Sequence, residues 1–360
     1  MPNLSLPAIA QLRLQNQQIA GTKFHTPEEV VAWHGAMQAQ EYSSAKWAVG
    51  LRLPPATDET MEAAIATGTI LRTHLLRPTW HLVAAADIRW MMALTAPQIR
   101  AQSGARHREL GLDAPLLKRS NDLIARALEG GKHLTRAELA EVIAQAGIPV
   151  DASRMVYFMF SAELDAVVCN GLRRGKEHTY ALLHERVPAG HVPTKEEALA
   201  ELARRFFISH APASLPDFTW WSGLRVGDAR QALEAIKSEL ESQPVGSIAY
   251  WMPKGTEIPE KVLPAEHLLP AFDEYLVSYK DRSAILDTAQ TSQVITSNGI
   301  FKPLIVVDGR VAGIWSRMEK KHHLILSKQL FIPLSARQES GILKAAERYG
   351  RFLGKAVLVG

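Results

Sequence analysis

The chain has 360 residues, 47% hydrophobic and 22% charged, with 41 Lys and Arg against 37 Asp and Glu, for a net charge of +4 and a pI of about 9.1. That length supports more than one core, and no run of about 18 uncharged apolar residues offers a membrane span. The single cysteine, Cys169, excludes an internal disulfide, no Cys/His group has zinc-ligand spacing, and the mild basic excess permits a polyanionic partner without requiring one.

The segment "MPNLSLPAIAQLRLQNQQ" lacks the basic-then-apolar order of a secretory signal, so a reducing cytoplasm is expected. The first clear helix signal is "TPEE". Thr26 and Glu29 have capping-box spacing, with Pro27 at the first helical position. Helices are predicted over Pro27–Met37, Ser43–Leu51 and Glu59–Ala66, followed by paired strands in "TILRTHLL" and "TWHLVA" around Arg77-Pro78. A second box, Thr135 with Glu138, opens a helix that Gly147 should stop. Next come the helical run "SRMVYFMFSAELDA" and two short strands, Ala166–Asn170 and His178–Leu183, around a loop carrying Arg173, Arg174 and Lys176. Helix, turn, helix and basic hairpin is the order of a winged helix.

A third box, Thr194 with Glu197, precedes helices at Lys195–Ser209 and Phe218–Leu224, and Asp228 is the expected N-cap of the next. From Gly246 onward the chain is rich in β-branched and aromatic residues, and Asp308-Gly309 between apolar runs predicts a hairpin. A last helix, Ala336–Leu353, precedes the strand "KAVLVG".

Two amides occupy "MQAQ": Gln38 and Gln40. In a helix, positions i and i+2 point about 200° apart, whereas in an extended segment they share a side. For both amides to serve one ligand, Met37–Tyr42 must leave helical geometry. By spacing alone the pair reads as ordinary exposed or capping amides. Glu41 reads as a surface acid, Trp33 and Trp80 as core, and Cys169 as a buried inert thiol. Asp273, Glu274, Asp281 and Arg282 read as domain-packing ion pairs. His81 is either a partly buried structural histidine or a contact to DNA. Arg77 and the loop residues Arg173, Arg174 and Lys176 are either solvated charges or phosphate contacts. No Gly-rich phosphate loop of Walker or Rossmann form occurs.

Five blocks carry a family resemblance: "MQAQEYSSAKWAVGLRL", "GTILRTHLLRPTWHLV", "VVCNGLRRGKEHTYALL", "LLPAFDEYLVSYKDRSAIL" and "FKPLIVVDGRVAGIWSR". Together they span nearly the whole chain, which resembles the winged-helix DNA glycosylases of the AlkZ/YcaQ type. The resemblance implies an α+β fold of tandem winged-helix (helix-turn-helix) motifs with a C-terminal antiparallel, barrel-like β domain, forming a C-shaped concave DNA-binding surface. The expected units are 1–115 with the Gln-x-Gln segment, 116–190 with the basic wing, 191–245 as a third motif, and 246–360 as the β-rich domain.

The family signature is glutamine, an aliphatic residue, then glutamine or aspartate. Gln38-Ala39-Gln40 fits its two-glutamine form, which makes Gln38 and Gln40 the catalytic candidates. Arg77, His81, Arg173, Arg174 and Lys176 are the DNA-binding candidates. The implied activity is hydrolysis of the N-glycosidic bond of alkylated, bulky or crosslinked purines in double-stranded DNA. No cofactor or metal is expected, and the implied state is a cytoplasmic, nucleoid-associated monomer. A cationic alkylated base leaves without a general acid, so two neutral amides need only place a water and favour positive charge on the sugar. The alternative is a non-catalytic winged-helix DNA-binding protein or transcriptional regulator, since the motif usually binds DNA without chemistry.

Overall fold

The caps read from the sequence open the helices. Thr26, Thr135 and Thr194 each accept from the backbone N–H three residues on, while the glutamate there returns to the cap N–H. These boxes start helices at Pro27–His34, Arg136–Gln145 and Lys195–Ser209. The computed structural model describes residues 3–259 and 263–360.

The first helix ends at His34 rather than reaching Met37. Gly35 takes a φ of 76°, which turns the chain out of the helix and into a short strand, Ala36–Gln38. That strand pairs antiparallel with Thr79–Ala84, which pairs in turn with Ile70–Leu75, giving a three-stranded sheet. Helices Tyr42–Gly50 and Asp58–Thr67 lie between the first and second strands in sequence.

The next group repeats this plan. Helices Ala114–Leu128, Arg136–Gln145 and Ala152–Leu164 pack with a three-stranded sheet ordered Leu134–Thr135, Thr179–Leu182, Val168–Asn170. The third group has helices Lys195–Ser209, Leu215–Ser222 and Val226–Ile236. The last of these begins before Asp228, so Asp228 lies inside the first turn and bonds Lys195 Nζ at 2.7 Å instead of serving as the N-cap. The apolar run "GSIAYWM" pairs as Ile248–Pro253 with Leu240–Val245 in its own two-stranded sheet, apart from the C-terminal one.

The C-terminal sheet has five strands in the order Ala356–Val359, His323–Leu330, Arg310–Glu319, Leu304–Val307, Glu266–Leu269. Four are antiparallel neighbours, and the Asp308-Gly309 turn joins two of them with positive φ at both residues. The final strand departs from the antiparallel expectation. Helix Ala336–Leu353 carries the chain back along the sheet, so Ala356–Val359 pairs parallel with His323–Leu330. Helices Leu6–Asn16 and Ile88–Glu109 were not legible in the sequence; the latter mixes many charges with Pro97. No helix among the described residues is long and apolar enough to cross a membrane.

The block "DEYLVSYKDRS" knits these parts together. Asp273 takes two 2.8 Å hydrogen bonds from Arg52, and both side chains are fully buried. Arg52 also donates to the carbonyl oxygens of Gln17 and Ala48 at 2.9 and 2.8 Å. Tyr275 donates to Gly309 O at 2.7 Å, and Tyr279 donates to His210 O at 2.9 Å. Asp281 accepts from Tyr250 at 2.8 Å. The backbone N–H groups of Lys280 and Asp281 end on Asp217, which lies opposite Arg13. Trp47 donates its indole N–H to Leu268 O, tying the helix Tyr42–Gly50 to the C-terminal sheet, and Trp315 donates to Leu269 O within that sheet.

Removing one member of a buried pair strands the other charge. Arg52→Ala and Asp273→Ala are each expected to lower the unfolding free energy by about 3 kcal/mol or more, measured by urea denaturation of each variant beside the parent; a change within error would contradict this.

Candidate functional site

The extended course of Gln38-Ala39-Gln40 follows from Gly35 and from the pairing of Ala36–Gln38 with the hairpin Ile70–Ala84. Every polar group of the segment that has a partner finds it on a fixed element. Ala39 N–H donates to Trp80 O at 2.6 Å. Arg72 donates through Nε and Nη2 to Ala39 O at 3.0 and 2.9 Å, with its guanidinium 4.2 Å from the Trp80 ring centroid. Gln40 Oε1 accepts from Trp80 N–H at 3.1 Å, and Gln38 Oε1 accepts from Arg77 Nη2 at 2.8 Å.

Both partners are obligate donors, so they settle which end of each amide is the oxygen. Both amide oxygens are thus bonded to the hairpin Ile70–Ala84, and the segment has left helical geometry at Gly35. Gln38 is only 6% exposed; Arg77 donates to its Oε1, and its Nε2 has no hydrogen-bond partner among the described residues. Gln40 is exposed.

Arg77 is held in place from outside the hairpin. Leu76 has a φ of 60°, and the turn packs on Gly223, where a Cβ would stand 2.5 Å from Leu76 O. Gly223 itself has a φ of 69° as the C-cap of helix Leu215–Ser222, so a side chain there is opposed both by space and by backbone. Burial lowers the Arg77 pKa, partly offset by Glu274.

Behind the strand lies Glu274, 1% exposed. Gln38 N–H points to the free edge of the strand and donates to Glu274 Oε1 at 2.5 Å. Ser278 Oγ donates to the other carboxylate oxygen, and His210 Nε2 stands 3.6 Å from it. Burial pushes this carboxyl up, but His210, Ser278 and the Gln38 N–H outweigh it and hold the pKa at about 2. Glu274 is therefore ionised at neutral pH. The neighbouring His34 ring packs edge-on against His210 at 5.5 Å, and burial pushes its pKa well below the ordinary value.

A family model described as DNA glycosylase AlkZ-like matches residues 31–352. The chain belongs to the AlkZ-like DNA glycosylase family. It is 24% identical over 330 residues to the interstrand DNA cross-link repair glycosylase of Streptomyces sahachiroi, covering 86% of this chain and 87% of that protein. Its fold superposes on the solved structure of Streptomyces sahachiroi DNA glycosylase AlkZ with a TM-score of 0.82 at 20% identity, over 100% of both chains.

In this AlkZ-like glycosylase the other candidates fall into distinct settings. His81 pairs in register with Gln38 and is fully buried, so it presents nothing to solvent. Its Nδ1 lies 3.0 Å from Thr79 O, its Nε2 has no partner, and burial followed by Arg77 lowers its pKa to about 3. On the loop between Val168–Asn170 and Thr179–Leu182, Arg173 pairs with Glu62 at 2.8 Å and Arg174 pairs with Glu138, while Lys176 is exposed. Glu41 is exposed and accepts from Ser43 at 3.0 Å, as expected of a surface acid. Cys169 is buried and its thiol is pushed up to about 12, as expected of an inert one. A cleft of about 400 Å3 opens beside Arg72 and Trp80, lined also by Asn170, His178 and Tyr180.

Sequence reasoning singled out Gln38, Gln40 and Arg77, which the structure brings together, but assigned no site role to Glu274, Arg72 or Gly223. Glu274 stood in a noticed block; its contact to Gln38 across 236 positions leaves no local signal.

His34 and His81 are buried in the neutral form, whereas in the unfolded chain they take up protons near the ordinary histidine value of 6.5. Below that pH the unfolded state binds more protons, so stability falls as pH falls, down to about 3 for His81. Urea unfolding at pH 7.5 and pH 5 is expected to show a loss of up to about 1.4 kcal/mol per pH unit per histidine; equal stability at the two pH values would contradict it.

Proposed function

We propose that this chain is a monofunctional DNA glycosylase for alkylated purines, including bulky and crosslinked adducts, in which Gln38 and Gln40 hold the attacking water. The observation that supports this reading is that Gln38-Ala39-Gln40 lies outside the helix, at the end of the strand Ala36–Gln38, with both amide oxygens bonded to one hairpin. The name of the Streptomyces relative, an interstrand cross-link repair glycosylase, supports the substrate class. The helix–helix–hairpin groups support reading units 1–115, 116–190 and 191–245 as winged-helix motifs beside a β-rich unit at 246–360, with the third motif's hairpin running on through Ile248–Pro253. We read their arrangement as a concave surface for double-stranded DNA, acting as a monomer in the cytoplasm.

The chemistry follows from the substrate. An N7- or N3-alkylated purine is already cationic, so the C1′–N bond breaks with its electron pair going to the base, which leaves neutral. Positive charge moves to the sugar as an oxocarbenium ion. Water oxygen then bonds to C1′ and its proton passes to solvent. The amides orient that water and cannot act as strong bases, which confines the site to bases ready to leave.

Arg77 is the phosphate contact closest to the site. In the free protein its guanidinium occupies Gln38 Oε1; a phosphate competes for it and frees that oxygen to accept from the water. Arg173, Arg174 and Lys176 on the wing serve the duplex further out, the first two by exchanging carboxylate partners for phosphates. His81 supports the hairpin from beneath.

Incubation with duplex DNA treated with methylating and crosslinking agents, followed by mass spectrometry, is expected to reveal released 7-methylguanine or a bulkier adduct. Gln38→Ala and Gln40→Ala should each slow release by about 10²-fold or more. Parent-level rates in both variants would refute the site, and base release by none of the panel, with a footprint on undamaged DNA, would favour a regulator. Arg77→Ala is expected to weaken duplex binding and to reduce the slope of log affinity against log salt by about one, read from titrations across a salt series. An unchanged slope would remove Arg77 from the phosphate contacts.

A further inference from the structure

Two neutral amides leave an electrostatic gap. The departing base transfers a full positive charge to the sugar, and amide dipoles stabilise that charge weakly compared with a carboxylate. Glu41, adjacent in sequence, does not fill the gap: it is exposed and engaged with Ser43 and Arg317. The buried carboxylate that touches the segment is Glu274, through the Gln38 N–H at 2.5 Å.

Resting on the assignment of Gln38 and Gln40, we propose that Glu274 is a positioning residue with a second role: its buried charge, one peptide group behind Gln38, supplies the negative field that stabilises the oxocarbenium ion. The charge inventory supports this. The hydrogen-bond donors on Glu274 are the Gln38 N–H and the Ser278 hydroxyl, both neutral. No Lys or Arg among the described residues pairs with it; Arg52 is committed to Asp273 and Arg77 to Gln38 Oε1. His210, whose Nε2 stands 3.6 Å from the other carboxylate oxygen, is fully buried, and that burial lowers its pKa while Glu274 pulls it up.

A field from such a charge acts through a low-dielectric medium and is strong. Closing the strand edge alone does not require it. A glutamine at 274 would offer the same carbonyl oxygen to Gln38 N–H without the cost of burying an ion. What the carboxylate adds is charge, placed where the proposed reaction develops the opposite sign.

The test uses the full-length protein and two duplexes. One carries a cationic pyrrolidine abasic-site analogue, which mimics the charged sugar; the other carries the neutral tetrahydrofuran analogue. The parent is expected to prefer the cationic duplex, and Glu274→Gln to lose that preference with its affinity for the neutral duplex unchanged. Glu274→Gln should also slow single-turnover release of 7-methylguanine by about 10²-fold, and Glu274→Asp should recover part of it. Equal binding of both duplexes by the parent overturns the proposal, whether or not any variant folds. So does a Glu274→Gln protein with parental rate and preference while Gln38→Ala and Gln40→Ala are inactive, an outcome that leaves the glutamine site standing. Full activity in the two glutamine variants removes that site itself, and the proposed role of Glu274 with it.

Discussion

The paired hydrogen bonds between Arg52 and Asp273 are the constraint on which the rest of the structure depends. Both groups are fully buried, so neither tolerates loss of the other. The pair fixes the end of the helix Tyr42–Gly50 against the segment that begins at Asp273. The next residue, Glu274, then falls opposite Gln38. A structural ion pair and the carboxylate at the site are thus consecutive residues in one buried block, and a shift of either moves both.

The hairpin Ile70–Ala84 complements this from the other edge. Trp80 offers its carbonyl to Ala39 and its N–H to Gln40, Arg72 closes the Ala39 carbonyl, and Arg77 reaches Gln38. The Gln38-Ala39-Gln40 backbone is therefore held on both sides, which suits a site whose work is orientation. Misplacement of a water by even about 1 Å is costly to an orientation mechanism. The elements that hold it are a sheet, a buried carboxylate and a turn seated on Gly223 rather than a mobile loop.

Much of this was legible before the fold was known. Capping boxes marked helix starts because the cap is chemistry within four residues, and Asp308-Gly309 marked its hairpin for the same reason. The need for Gln38 and Gln40 to leave the helix was a matter of side-chain direction, and Gly35 provides the exit. Family membership was carried by blocks spread along the chain. Long-range facts were not legible. The parallel return of Ala356–Val359, the seat of Leu76 on Gly223 and the bond from Gln38 to Glu274 join distant segments. The wing arginines read as free cations because Glu62 and Glu138, their partners, lie far away in sequence.

The contact between the two ends of the chain also sets a schedule. Gly50 packs so closely on Phe352 that a Cβ would stand 2.4 Å from the ring, and Trp47 lies 5.1 Å from the same ring. The strand bearing Gln38 is made before Glu274, which closes its edge, and before Phe352, which packs on the helix that follows it. Folding from the N-terminus can build the first hairpin on its own schedule, but the finished site waits for nearly the whole polypeptide. A partly made chain would hold the glutamines and their hairpin without the buried carboxylate that closes the strand edge.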